Sequence, residues 1–212
     1  MTAGLFLALG GKGGSSASTK APALSTAPTT TRAPTVAGQE LIKLIAASQN
    51  QTFHAQYQAT STDPTSAAAS QQVTLDLWRK PPMEREELAQ TSGGKVVRTI
   101  GLLLPPKSVL CQQADGATWT CANTPQTQAD DLLKGVTGDV AGQASAVRDD
   151  TVASTPVRCF SVPDSSTQTS ELCLTAQGIT ARLTSGASKI QLVNLSFDVP
   201  DSAFVPPATP TG

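Results

Sequence analysis

The sequence predicts an α+β domain: one long, curved antiparallel sheet with two helical segments to cover it. Apolar residues alternate with polar ones through most of the chain between Phe53 and Phe197, the period of half-buried strands. The connections between these runs are nearly all short and carry Gly, Pro, Asp or Ser, which favours antiparallel neighbours over parallel crossovers. Only two stretches change period, one ahead of the first strand and one near the middle.

The folded part opens with GQELIKLIAASQN, where Leu41, Ile42, Leu44 and Ile45 form a helical stripe and Asn50 marks its end. In TFHAQYQAT, Phe53, Ala55, Tyr57 and Ala59 alternate with Thr52, His54, Gln56 and Gln58. In QQVTLDLWRK, Val73, Leu75 and Leu77 alternate with Thr74, Asp76 and Trp78, and the loop STDPTSAAAS joins the two strands. After RKPP, strands are expected over 83–90, 95–104 and 107–113, punctuated by the glycines at 93–94 and the prolines at 105–106. A short strand follows around Trp119. The second helical region is TQADDLLKGVTGDVAGQASAV, interrupted at Gly135 and Gly138, and strands over 155–162, 170–175, 179–184 and 189–197 complete a meander.

With 15 basic and 16 acidic side chains and a net charge of -1, the chain carries no electrostatic footprint for nucleic acid and no polybasic patch for anionic lipid headgroups. Residues 3–9 form an apolar run far short of the about 20 that span a bilayer. Its length and small-residue exit are those of a signal-peptide core without the positive n-region. LGGKGGSS resembles a lipobox, but Lys12 stands where the acylated cysteine belongs and cannot carry a thioether-linked lipid. The expected layout is a signal-like, lipobox-like segment over 1–14, a disordered Ser/Thr/Ala/Pro tether over 15–37, a folded domain over 38–208 and a tail over 209–212.

Cys111 and Cys121 are equidistant from Gly116, the second residue of an Asp-Gly turn, and a hairpin closed there places them opposite each other. Cα atoms so placed lie about 4.5 to 5.5 Å apart, within reach of a disulfide. Cys159 and Cys173 are likewise equidistant from Ser166. Zinc knuckles and redox motifs space their cysteines more closely, so the favoured pairs among the three connectivities are 111–121 and 159–173. Each is worth roughly 2 to 3 kcal/mol, and together they indicate an oxidising compartment.

Catalytic chemistry is scarce. His54 is the single histidine and lies on the polar side of its strand, with no Gly-x-Ser-x-Gly nucleophile elsewhere. Asp130-Asp131 opens the second helical region, where negative charge suits the helix dipole. There is no Ca²⁺ loop, P-loop or dinucleotide fingerprint. The expectation is a non-catalytic protein with no metal and no cofactor.

Some strands are apolar on both faces. IQLVNLSF carries Ile190 and Leu192 on one side and Val193, Leu195 and Phe197 on the other, and TIGLLLPP places Leu102, Leu103 and Leu104 in sequence. Such strands are covered on both faces, by protein or by a ligand. A sheet that curves around a helix offers its concave side. With aromatics at 4%, the lining there is aliphatic, as acyl chains prefer, or is an ordinary core against the helices.

The helix, the Tyr-containing strand and LWRKPPMERE, where a strand ends in a basic residue and proline and the next brings an arginine, resemble the bacterial lipoprotein-carrier (LolA-like) superfamily. GITARLTSG and VNLSFDVPDSAFVPPA are similar to that family's closing strands and its terminal Asp-x-x-Phe-x-Pro-Pro exit. The resemblance covers about residues 38–208, with actinobacterial envelope lipoproteins, some of which shuttle lipids and glycolipids, as the nearest flavour. It implies an open half-barrel with helices on its concave side and a hydrophobic cavity. The expectation is an exported, monomeric envelope protein that carries a lipid or acylated ligand, lined by residues among Leu75, Leu77, Leu102, Leu104, Leu192 and Phe197. Gly135 and Gly138 are expected as hinges of a helical lid over 128–147. Relatives of the fold also act as sensors that restrain membrane proteins, so the alternative is a protein-interaction module without a carried lipid.

Overall fold

The structure, a computed structural model, describes residues 33–61, 72–124, 141–163 and 169–211. The signal-like segment, nearly all of the tether, and the expected hinges Gly135 and Gly138 lie outside these residues. No described helix is long and apolar enough to cross a membrane.

Helix α1, Val36–Ser48, starts two residues before the expected helical segment, which opens at Gly38, because Thr35 caps it. The Thr35 hydroxyl accepts from Gly38 N–H at 2.9 Å and satisfies one of the orphan donors of the first turn. The same hydroxyl donates to the Ala144 carbonyl, and Thr35 N–H donates to Gly142 O at 2.9 Å. These bonds tie the start of the helix to the segment entering β7.

Eleven strands form one antiparallel sheet: β1 Phe53–Ser61, β2 Gln72–Lys80, β3 Met83–Ser92, β4 Lys95–Leu104, β5 Lys107–Ala114, β6 Thr120–Thr124, β7 Ser145–Val152, β8 Thr155–Pro163, β9 Thr169–Thr175, β10 Thr180–Ser185 and β11 Ser188–Ser196. The order β6-β5-β4-β3-β2-β1-β11-β10-β9-β8-β7 makes two meanders joined in the middle by β1 and β11. Consecutive strands β6 and β7 are therefore the two opposite edges. A bulge in the β1–β11 pairing falls between Gln56 and Tyr57, and Val193 is passed over there.

The meander expected from periodicity is present, and 95–104 is a strand to the residue. Two assignments are corrected. The second helical region is expected to run to Val147, but β7 begins at Ser145. Its sequence SAVRDDTV has charges where an alternating strand shows apolar residues, as suits an edge strand paired on one side only. The strand expected around Trp119 begins instead at Thr120. Among the described residues the one full α-helix is α1, and a helical turn ends at Ala141–Gly142.

Register divides the sheet into two faces. Phe53, Ala55 and Tyr57 share a face with their partners Arg79, Leu77 and Leu75, here the Tyr57 face. His54, Gln56 and Gln58 share the other with Trp78, Asp76 and Thr74, here the Trp78 face. A single row, Phe160–Leu172–Leu183–Ile190–Ala59–Val73, runs along the Tyr57 face from β8 to β2. Helix α1 packs on the β8–β10 end of that face, where Leu41, wholly buried, meets Phe160, Leu172 and Leu174.

The other half of the sheet is covered on the opposite face. Ile100, Leu102, Val109 and the 111–121 disulfide bury together with Leu104, Trp119 and Ala208 on the Trp78 face of β4–β6. Ala208 belongs to the C-terminal segment, which passes through the 3-10 turn Asp201–Phe204 and reaches β6. There Thr211 bridges Ala122 in parallel, with Asn123 N–H donating to Thr211 O and Thr211 N–H to Cys121 O, each at 3.0 Å.

Candidate functional site

Beyond the end of α1 the Tyr57 face stays apolar. Across β3, β2, β1 and β11, Leu88, Leu75, Tyr57 and Leu192 stand in one row, because each pair is in direct register. The next row is Glu86–Leu77–Ala55–Leu195. Tyr57, Leu77 and Leu192 are buried with Phe53, Ala55, Ile179 and Ala181, and Leu75, Ile190 and Leu195 pack against them half-buried. Farther along the same face, on β4 and β5, Val97 and Leu110 are 47% and 40% exposed, and Gly101 has no heavy atom within 4 Å of where a Cβ would stand. So this face changes from packed core under α1 to a more open surface on β4–β5, where Val97, Gly101 and Leu110 flank the polar pair Thr99 and Gln112.

The border of the apolar face is polar. Arg79, Glu84, Leu103, Ser108 and Thr124 form one row across β2 to β6. Arg79 Nε lies 3.4 Å from the Glu84 carboxylate, and both Glu84 and Ser108 are buried.

The Trp78 face carries a different chemistry. His54 stacks on Trp78 with ring centroids 4.4 Å apart, and the Arg85 guanidinium sits 5.0 Å from the Trp78 ring. Asp76 holds both His54 Nε2, at 3.0 Å, and the Gln56 amide, at 2.7 Å. Arg85 donates to the Ala203 carbonyl at 3.0 Å and to Glu87 at 2.7 Å, which binds the C-terminal segment to β3. His54 is thus a satisfied residue in a cross-strand stack, as its position on the polar side of the strand suggested. On β7 to β10 of this face, Arg148 and Arg182 each bridge Asp150 and Glu171 in a closed ring of four charges. Hydrogen bonds from Arg182, the Thr151 backbone and Arg148 hold the Asp150 carboxyl well below the usual carboxylate range. Burial pushes Glu171 up, but Arg148 and Arg182 outweigh it and hold its carboxyl below the usual value.

The cysteines pair as 111–121 and 159–173, with Cα atoms 4.0 and 3.9 Å apart. Both pairs are directly opposed in register, as the hairpin argument requires. The first hairpin turns through Asp115 and Gly116, at φ +46° and +75°, with Ala117 N–H donating to Ala114 O at 2.9 Å. The turn itself is two residues long, and 117–119 lie between it and β6.

The six lining candidates do not share one surface. Leu75, Leu77 and Leu192 meet on the Tyr57 face. Leu102 and Leu104 lie on the Trp78 face beneath the C-terminal segment, and Phe197 is 52% exposed just past β11. In TIGLLLPP it is Leu103, one residue over, that shares the Tyr57 face. A one-residue choice of register decides this, and no signal within a doubly apolar strand makes that choice. Gly101, Leu88 and Leu110 were not singled out from sequence. Gly101 was findable in principle, as a glycine inside an otherwise continuous strand.

No protein-family model matches the sequence, and no curated protein matches it. Solved structures do resemble the fold. A crystal structure of MucB is 15% identical, with a TM-score of 0.52 over 80% of this chain and 62% of that one. The complex structure of Pseudomonas aeruginosa MucA/MucB gives 15% identity and a TM-score of 0.51 over 80% and 60%. The chain therefore spans about three fifths of those chains. LprF from Mycobacterium bovis, 14% identical over 84% of this chain and all of its own, superposes less closely at a TM-score of 0.46. The chain has the LolA-like half-barrel fold, the fold it shares with MucB.

Proposed function

We propose that this is an exported, non-catalytic binding protein of the cell envelope that holds a lipid or acylated ligand on the Tyr57 face. The observation that carries the reading is the Leu88–Leu75–Tyr57–Leu192 row, which with Leu77 continues the apolar face past α1, while Val97, Gly101 and Leu110 lie open farther along the same face. An apolar surface without hydrogen-bonding groups suits an acyl chain, which leaves no polar atom unpaired. Two disulfides fit an oxidising compartment. Leu75, Leu77 and Leu192 are the lining candidates that remain on this face.

The test is native mass spectrometry on protein expressed into a bacterial periplasm, followed by solvent extraction. The expected result is a stoichiometric adduct that organic solvent releases. Leu110→Lys and Val97→Lys, exposed substitutions on the candidate face, should diminish it, while Val205→Lys, exposed elsewhere, should not. A clean unliganded mass that persists after incubation with envelope lipids overturns the carrier reading.

A second reading has its own support. MucB, whose fold this chain shares, is seen in complex with MucA. On that reading the chain is an envelope interaction module whose partner is a membrane protein, and lipid incubation leaves its mass unchanged while a protein partner co-purifies.

A further inference from the structure

Resting on the interaction-module reading, we propose that the β6 edge is a docking site for a partner polypeptide, which adds a strand parallel to β6 in place of residues 205–211. The occupant is an extended, uncharged segment with a small residue where Ala208 lies. The two edges of the sheet differ in a way that selects β6. On β7, Arg148, Asp149 and Asp150 break the apolar pattern, and the Asp150 carboxylate takes Thr151 N–H at 2.8 Å, so the strand's own residues close that edge. The β6 strand, TCANT, carries no charge and is met by Thr211 of the C-terminal segment.

That segment is an incomplete strand. Cys111 and Cys121 stand opposed with Cα atoms 4.0 Å apart, the close spacing of a pair that exchanges no backbone hydrogen bonds. Cys121 therefore turns its N–H and C=O away from β5, and Asn123, two residues on, does the same. Thr211 takes Cys121 O and Asn123 N–H, each at 3.0 Å. Cys121 N–H and Asn123 C=O receive no bond from residues 205–211. Pro206, Pro207 and Pro210 deprive the segment of three donors. An incoming strand without those prolines can meet all of the outward groups, as in strand addition to a sheet edge. Beside the edge lies the floor it must cover: Ile100, Leu102 and Val109, which bury together with Trp119 and Ala208. A charged side chain there would be taken from water without a partner.

The experiment measures fluorescence anisotropy with two labelled peptides, residues 205–211 and the same peptide with its three prolines replaced by threonine. A chain truncated after Phe204 is expected to bind both, the threonine form about tenfold more tightly for the added hydrogen bonds. The full chain should bind each about tenfold more weakly or worse, because its own segment competes from within the molecule. Thr211→Pro, which loses the N–H to Cys121 O without shortening the chain, should fall between the two. Asn123→Pro in the truncated chain deletes an outward donor at an edge that tolerates proline, and it should abolish binding. A truncated chain that is folded by circular dichroism and binds neither peptide overturns the proposal, as does binding unaffected by Asn123→Pro. Should the truncated chain fail to fold, Thr211→Pro decides, and binding no tighter than wild type overturns the proposal. A protein partner that co-purifies equally with wild type and Asn123→Pro leaves the interaction-module reading standing and overturns the edge as its site.

Discussion

Gly178 occupies the left-handed region at φ +78°, in the turn between β9 and β10, and a Cβ there would stand 1.8 Å from the Leu44 carbonyl oxygen of α1. The turn and the helix end meet backbone to backbone, so neither can yield. Gly178→Ala should destabilise the protein by more than about 2 kcal/mol in chemical denaturation, because strain and clash add. Gly94, at φ +77° with nothing within 4 Å, isolates the strain alone, and its alanine variant should cost about 1 to 2 kcal/mol. Equal costs would show that the contact with Leu44 is absent. Asp150 governs a second prediction. Its folded-state pKa is depressed by Arg182, Thr151 and Arg148, so its contribution is present above the unfolded value near about 4 and is lost as pH falls below it. Asp150→Asn should flatten the fall of stability with acid across that window, measured by urea midpoints at successive pH values. An unchanged slope would mean that the four-charge ring is open in solution. Cysteine spacing made the disulfides legible at this scale. Ser108 was not legible, because only register places it in one row with Leu103 and Glu84.

Most strands announced themselves, since alternation is a local property and Gly93-Gly94 and Asp115-Gly116 punctuate it with positive φ. β7 did not, because its partner on one side is β8 and on the other side no strand follows. Nothing there requires an apolar residue at every second position, and Arg148, Asp149 and Asp150 take the space. Thr151 N–H is occupied by the Asp150 carboxylate at 2.8 Å, which blunts the edge against further strands. Helix α1 was visible in its stripe but not in its start, which Thr35 sets through contacts with residues more than a hundred positions away. At this scale the 159–173 disulfide clamps β8 to β9 beneath the charged ring. Replacing both cysteines by alanine should cost about 2 to 3 kcal/mol and lower the melting temperature without altering strand content by circular dichroism. A melting temperature equal to wild type would show that strand pairing alone holds the hairpin.

Over the whole molecule, two meanders are joined where β1 meets β11, and each half is covered on a different face, one by α1 and one by the C-terminal segment. That segment also occupies the β6 edge. Truncation after Phe204 should remove the acceptor of Asn123 N–H and speed its hydrogen exchange, while amides of β9 exchange as before. If Asn123 stays protected, the segment does not guard that edge. The sequence alone specified an antiparallel α+β domain, its turns and its cysteine pairs, because periods of two and 3.6, glycine turns and spacings about a turn all act locally, the cysteine partners being 10 and 14 residues apart. Pairing between the first and last strands, the bulge at Tyr57 and the division of Leu77 from Leu102 onto opposite faces were decided only in three dimensions. Each depends on which distant strand supplies the hydrogen bonds, and a shift of one residue in that choice exchanges one face for the other.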